Sequence, residues 1–243
     1  MKTSPLDVIT YGEAMTMFVA NETGELDQAM QFTKRIAGAE LNVSIGLSRL
    51  GMNVGWVSRV GNDSFGRFTL ATLQQEGINH QCVTVDERFP TGFQLKSKAE
   101  NGTDPKVEYF RKGSAASHLS VHDFDRAYFS QARHLHLSGV AAALSTDSLA
   151  LANHAAQEMR AMGKTISFDP NLRPVLWPSQ QVMCEKLNAL AFQADWVLPG
   201  LKEGQILTGK QTPEEIADFY LNRGVKAVII KLGPDGAWFK TAD

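Results

Sequence analysis

The chain has 243 residues, of which 43% are hydrophobic and 21% charged, and a net charge of −2. That size suits one large α/β domain or two small ones with ample core. The near-neutral charge excludes a global electrostatic case for binding nucleic acid or an anionic membrane, and no apolar run approaches membrane-spanning length.

Taken in order, strands and helices alternate. "DVITYGEA" is a β-branched run that ends on glycine. "ELNVSIGLSRLG" places Leu41, Ile45 and Leu50 at helical spacing and stops at Gly51. "NVGWVSRVG" reads as a strand, and "SFGRFTLATLQQEG" as a helix capped by Ser64 and closed by Gly77. "QCVTV" is a further strand. After it, "TGFQLKSKAENGTDPKVEYFRKGSAAS" breaks the pattern. Its alternating segments, 91–98 and 106–111, flank Asn101-Gly102 and Asp104-Pro105, which is a β-hairpin signal inside an α/β chain.

The alternation then resumes with the strand "RHLHLSG", a helix over 146–162 and the strand "TISFDPN". A helix near 179–192 and the strand "DWVLPG" follow. In "TPEEIADFYLNRG", Thr212 is the N-cap, Pro213 the first helical residue and Glu215 the partner in a capping box. "KAVIIKLG" is a buried strand, and the chain closes through a Gly-Pro-Asp-Gly turn into a second one. This order predicts a mostly parallel sheet between helices, with ligands at the carboxyl ends of the strands.

Several residues at those ends carry candidate chemistry. Asp169 and Asn171 suit either an Asx turn or the orientation of hydroxyls and metal-bound water. Arg111 and Arg173 offer the planar fork that best matches a carboxylate, although Arg173 before Pro174 also suits a turn. His134 and His136 share one face of a strand without a third ligand, so packing is the expectation. Asp63 reads as a turn residue and Lys34-Arg35 as a solvated face. Cys82 and Cys184 form neither a CxxC pair nor a metal spacing. "MKTSPLDVITYG" lacks the apolar stretch of a signal peptide, so a cytoplasmic location is expected.

The segment "AGAELNVSIGLSRLGMNVGWVSRVGNDSFG" lacks the G-x-G-x-x-G spacing of a dinucleotide fingerprint, which opposes a dehydrogenase. It resembles the first signature of the ribokinase-like (PfkB) carbohydrate kinases. "FDPNLRP", "LPGLKEGQILTG" and "IIKLGPDGAWF" resemble that family's later segments, in order, along essentially the whole chain. The resemblance implies a three-layer ribokinase-like fold, read as a single domain over 1–243, with a small β-lid built from about 13–35 and 90–112. It also implies ATP-dependent, Mg²⁺-assisted phosphorylation of a sugar hydroxyl. "VEYFRKGSAAS" and "FDPNLRPVLW" resemble 2-keto-3-deoxygluconate kinases more than ribokinases or adenosine kinases. That implies a sugar acid as substrate, with fructokinase or another sugar kinase as the alternative.

By resemblance, Gly38, Asn42, Gln94, Tyr109, Arg111, Val140 and Arg173 surround the substrate. Asp169, Asn171, Glu203, Lys231, Gly233 and Gly236 are associated with nucleotide and Mg²⁺, and no residue is expected to ligate metal directly. Gly200 replaces the asparagine that the family has three residues before Glu203, and Gln94 stands where an aromatic hydroxyl is common. The family's D-T-x-G-A-G-D segment, which carries the catalytic aspartate, has no match in these residues and is expected beyond Asp243. On that expectation these residues alone are inactive and expose apolar surface, and a non-catalytic sugar-binding protein is the reading if the frame ends at Asp243. Pairing of lids implies a homodimer.

Overall fold

The computed structural model describes residues 5–99 and 104–242. In chain order the elements are β1 (Leu6–Tyr11), β2 (Met15–Ala20), β3 (Phe32–Ala37), α1 (Ala39–Arg49), β4 (Val54–Gly61), α2 (Ser64–Gln75), β5 (Asn79–Asp86), β6 (Phe93–Lys96) and β7 (Val107–Phe110). They continue with α3 (Arg126–Phe129), β8 (Ala132–Ser138), α4 (Gly139–Ala142), α5 (Thr146–Ala161), β9 (Thr165–Asp169), α6 (Gln180–Ala191), β10 (Trp196–Val197), α7 (Leu201–Thr208), α8 (Pro213–Leu221), β11 (Ala227–Lys231) and β12 (Ala237–Thr241). The chain, read above as one domain, divides into two compact units. One holds the stretch up to Tyr11 and everything from Ser120 onward, and the other holds Gly12–Leu119.

In the first unit the strands lie in the order β12-β11-β10-β9-β8-β1. All neighbours are parallel except β12, which runs antiparallel to β11. Alternation along these strands sorts side chains by face. Ile9, Leu135, Leu137, Ile166, Phe168, Val228 and Ile230 are all at most 1% exposed. Helix α5 packs on β8 and β9, and α8 packs on β11 and β12. Their buried Leu151, Ala155, Met159, Ile216 and Tyr220 supply the facing layer. The other face carries His134, His136, Ser167 and Trp196, placed by the β8–β9–β10 register. Trp196 and Phe239 are 43% and 70% exposed. Close approach fixes one glycine: a Cβ on Gly139 would lie 1.9 Å from the Pro170 carbonyl oxygen.

In the second unit β4 and β5 pair in parallel, with α1 and α2 packed on β4. Leu41, Trp56, Leu73 and Ile78 form the buried cluster there. A separate four-stranded sheet has the order β3-β2-β6-β7. Its strands come from the two segments expected to build a lid, and β6 and β7 form the antiparallel pair expected of a hairpin. The Asn101-Gly102 turn lies outside the described residues. Helix α2 corrects one expectation. Its N-cap is Asp63, whose Oδ1 accepts from the Phe65 and Gly66 amides at 2.9 and 2.7 Å, and Ser64 is the first helical residue. The carboxylate reaches the amides two and three positions on, as an N-cap must. The short helices α3, α4 and α7 were not foreseen. Among the described residues no helix is long and apolar enough to cross a membrane.

Candidate functional site

The four-stranded sheet in the second unit has two unlike faces. On one, Phe18 and Phe93 gather around Phe65 of α2 with ring centroids 5.6 Å away, and Phe110 stacks on Phe93 at 4.6 Å. Lys34 lies over the Phe68 ring on that side. The opposite face is read from the register. One row across the strands is Arg35, Met17, Gln94, Tyr109. Two residues along, Ala37 pairs with Met15, and a Cβ on Gly92 would sit 3.3 Å from both Met15 Cγ and Arg111 Cβ. Two residues the other way come Thr33, Val19, Lys96 and Val107. Gln94, Tyr109 and Arg111, placed separately around a substrate from sequence, therefore share one face.

Gln94 is only 7% exposed, and its side-chain amide, whose polar atoms are not among the buried ones left without a partner, reaches solvent on this face. An amide that meets water on a concave face can exchange that water for the oxygens of a ligand. Tyr109 is 47% exposed, and the Arg111 guanidinium lies 5.9 Å from its ring. Gly38 follows β3 and caps α1, where a Cβ would lie 2.6 Å from the Glu13 carbonyl oxygen. Asn42 is exposed on the first turn of α1.

Arg111 is not free to act as an isolated cation. Its Nη2 pairs with Oε2 of Glu13, and the two side chains are 12% and 1% exposed. Ser114 Oγ donates to the other oxygen, Oε1, at 2.5 Å. Burial pushes the Glu13 carboxyl above its usual range, and Arg111 and Ser114 only partly offset it. The pair joins the point where the chain enters the sheet, before β2, to the point where it leaves, after β7. The carboxylate clamp expected of Arg111 thus has its charge balanced inside the protein, though the guanidinium keeps further N–H donors. Neither Glu13 nor Ser114 is among the residues that the resemblance places around the substrate, and their link to Arg111 was not foreseen.

In the first unit, the strand ends bring together Asp169 and Lys231. Lys231 Nζ meets both Asp169 oxygens, at 2.8 and 2.9 Å, with side-chain exposures of 46% and 23%. Asp169 Oδ1 also accepts from the Asn171 amide at 3.2 Å, so the Asx turn is present, and Asn171 has a positive φ of 37°. Glu203 acts as a brace. Its Oε1 accepts from the Leu172 amide at 2.8 Å and its Oε2 from the Gly200 amide at 2.7 Å. This ties the loop after β9 to the start of α7. Gly233 and Gly236 shape the turn between β11 and β12 with φ of 65° and 89°. Val140 is 8% exposed in α4. Arg173 is exposed, and its Nη1 donates to the adjacent Leu172 carbonyl at 2.7 Å.

The two histidines belong to packing. His134 Nε2 and His136 Nδ1 both reach Ser167 Oγ, at 2.7 and 2.8 Å, and His134 stacks on Trp196 at 4.9 Å. Burial pushes both rings down to a pKa of about 4, so both are neutral at pH 7.

Comparison with known proteins identifies the family and the fold. The profile of the pfkB family carbohydrate kinases matches residues 6–243. A 2-dehydro-3-deoxygluconokinase of Bacillus subtilis (strain 168) is 51% identical over 237 residues, 97% of this chain and 73% of that protein. A protein of the same name from Thermoproteus tenax is 33% identical over 96% of this chain and 71% of its own length. Among solved structures, a PfkB protein from Polaromonas sp. JS666 has a TM-score of 0.94 at 53% identity, covering 97% of this chain and 80% of that one. A putative Ribokinase II from E. coli, solved in complex with ATP and Mg²⁺, has a TM-score of 0.89 at 27% identity, covering 98% and 76%. The alternating strands, the four-stranded sheet and the matched segments lead to one conclusion: the chain belongs to the pfkB family of carbohydrate kinases.

Proposed function

We propose that the protein phosphorylates a hydroxyl of a sugar acid at the expense of ATP, with 2-keto-3-deoxygluconate converted to its 6-phosphate as the preferred reaction. The observation that carries the sugar-acid part is the open face of the four-stranded sheet. Its rows hold Arg35 and Lys96 without an acidic residue on the strands, Arg111 stands balanced by Glu13, and the Gln94 amide is turned to solvent there. A face with cations, a side-chain amide open to a ligand and a half-exposed tyrosine suits a polyhydroxy anion. The names of the relatives from B. subtilis and T. tenax support the same substrate class. Gly38 allows close backbone approach, and Asn42 supplies a side-chain amide nearby in sequence. Val140 and Arg173 stay in the substrate set on the family resemblance.

ATP and Mg²⁺ fit the other group of candidates. Lys231 offers an accessible cation for phosphate, held in place by Asp169, and the backbone of Gly233 and Gly236 leaves room for a ligand. Glu203 and Asp169 keep oxygen lone pairs for metal-bound water, and Asn171 adds an amide. When bound, Mg²⁺ neutralises charge on the phosphates. The test is a coupled ADP-release assay over 2-keto-3-deoxygluconate, fructose and ribose. The reading expects kcat/KM for the acid to exceed that for fructose by about tenfold or more, one 1.4 kcal/mol step. A preference for fructose would move the assignment to fructokinase.

A further inference from the structure

We propose that Arg35 is the residue that selects an anionic over a neutral substrate, by meeting the carboxylate of the sugar acid on the open face of the four-stranded sheet. The inference rests on the sugar-acid reading above and extends it to a residue that the family segments do not mark.

Charge on that face comes from three side chains. Arg111 is neutralised by Glu13 beneath it, so the pair contributes orientation and hydrogen bonds but no net charge. Lys96 lies in the outer row, among Thr33, Val19 and Val107, beyond the predicted substrate residues. Arg35 lies in the same row as Gln94 and Tyr109, separated from Gln94 only by Met17. It is exposed and has no carboxylate within ion-pair distance among the described residues. Its one hydrogen bond is a long one of 3.5 Å to the neighbouring Lys34 carbonyl. Lys34 points to the opposite face and covers Phe68, so the adjacent pair of basic residues is not a uniform solvated patch.

Two strand spacings put the Arg35 and Gln94 backbones roughly 10 Å apart. A long arginine side chain spans much of that gap. A six-carbon acid lying over Met17 can therefore meet Arg35 with its carboxylate and Gln94 and Tyr109 with its oxygens. The planar guanidinium takes a carboxylate through two parallel N–H donors, which a lysine cannot copy.

The experiment is isothermal titration of 2-keto-3-deoxygluconate and of fructose into wild type, Arg35→Gln, Arg35→Lys and Lys96→Gln proteins. Arg35→Gln is expected to weaken binding of the acid by about tenfold or more while fructose binding changes less than about twofold, since a hydrogen bond to a charged group is worth about 1.5–3 kcal/mol. Arg35→Lys should restore only part of the loss. The inference is overturned if Arg35→Gln binds the acid as wild type does. It is also overturned if Lys96→Gln loses as much, which would reduce the effect to a general field. Wild type that fails to bind the acid at all would refute the sugar-acid reading itself, a result distinct from the other two.

Discussion

The buried pair of Glu13 and Arg111 makes a sharp prediction about stability. With side chains 1% and 12% exposed, neither charge has useful access to water. Replacing Glu13 by Ala leaves a guanidinium buried without its anion and Ser114 Oγ without its acceptor. Removing one partner of such a pair costs about 3–5 kcal/mol. For a chain of 243 residues, each kcal/mol lowers Tm by roughly 2–4 °C, so Tm should fall by roughly 6–20 °C. The double change Glu13→Leu with Arg111→Met should regain most of that, because a packed apolar pair avoids the desolvation cost. Sugar binding should be lost in the double variant despite its stability. Thermal and urea melts of the four proteins in a double-mutant cycle give the coupling. A coupling below about 0.5 kcal/mol, the usual limit of additivity, would refute the argument. The pH dependence gives a second check. The folded carboxyl of Glu13 is raised above 4.5, so its ionisation costs stability as pH rises from 4.5 through the folded value. Against Glu13→Gln, wild type should lose ground over that window.

The histidine pair predicts the opposite slope. Both rings have folded values near 4 against 6.5 unfolded, so unfolding takes up protons between those values and stability falls as pH drops through the window; urea midpoints at pH 7, 6 and 5 should decline, and His136→Asn should flatten the decline. Gly139→Ala should destabilise by at least about 1–3 kcal/mol, because a Cβ there meets the Pro170 carbonyl oxygen at 1.9 Å and the backbone must move; an unchanged melt would contradict the packing described. Glu203→Ala removes the acceptor of the Leu172 and Gly200 amides. Hydrogen exchange at those two positions should then rise by about tenfold or more, as expected for a bond worth about 1.5–3 kcal/mol, with β9 itself unaffected.

Local signals in the sequence were read well where the interaction is itself local. The box of Thr212, Pro213 and Glu215 spans four residues and forms as expected, with the Glu215 amide 3.2 Å from Thr212 Oγ1. The same logic failed by one position at α2, where Ser64 and Asp63 are both good N-caps and only the path of the chain chooses. The single turns α3 and α4 have no periodicity to detect. The burial of Glu13 was not legible for a different reason. A glutamate is a surface residue by default. Its burial depends on Ser114, 101 positions away, and on Arg111. Lys34-Arg35, a lone basic stretch in a near-neutral chain, was read as one solvated face. Opposite faces of a strand separate the two, and that is evident only once β3 is paired.

On the proposed reading, the same long-range register lets substrate preference reside in a small sheet. Arg111, held by a buried glutamate, keeps its direction but presents no net charge, so it can bond hydroxyls of a sugar or an acid alike. Gln94 and Tyr109 likewise serve any polyol. Discrimination by charge then requires a cation outside the Glu13 pair but within reach of that row, and β3 supplies one at Arg35. Because β3 is the edge strand of the sheet and Arg35 is exposed on it, substitution at that position leaves β6 and the buried pair in place. Substitution at Arg35 should therefore alter the choice between acid and neutral sugar while melts stay as they are. If titration bears out Arg35, the sheet separates recognition of shape, through its buried pair, from recognition of charge, at its edge.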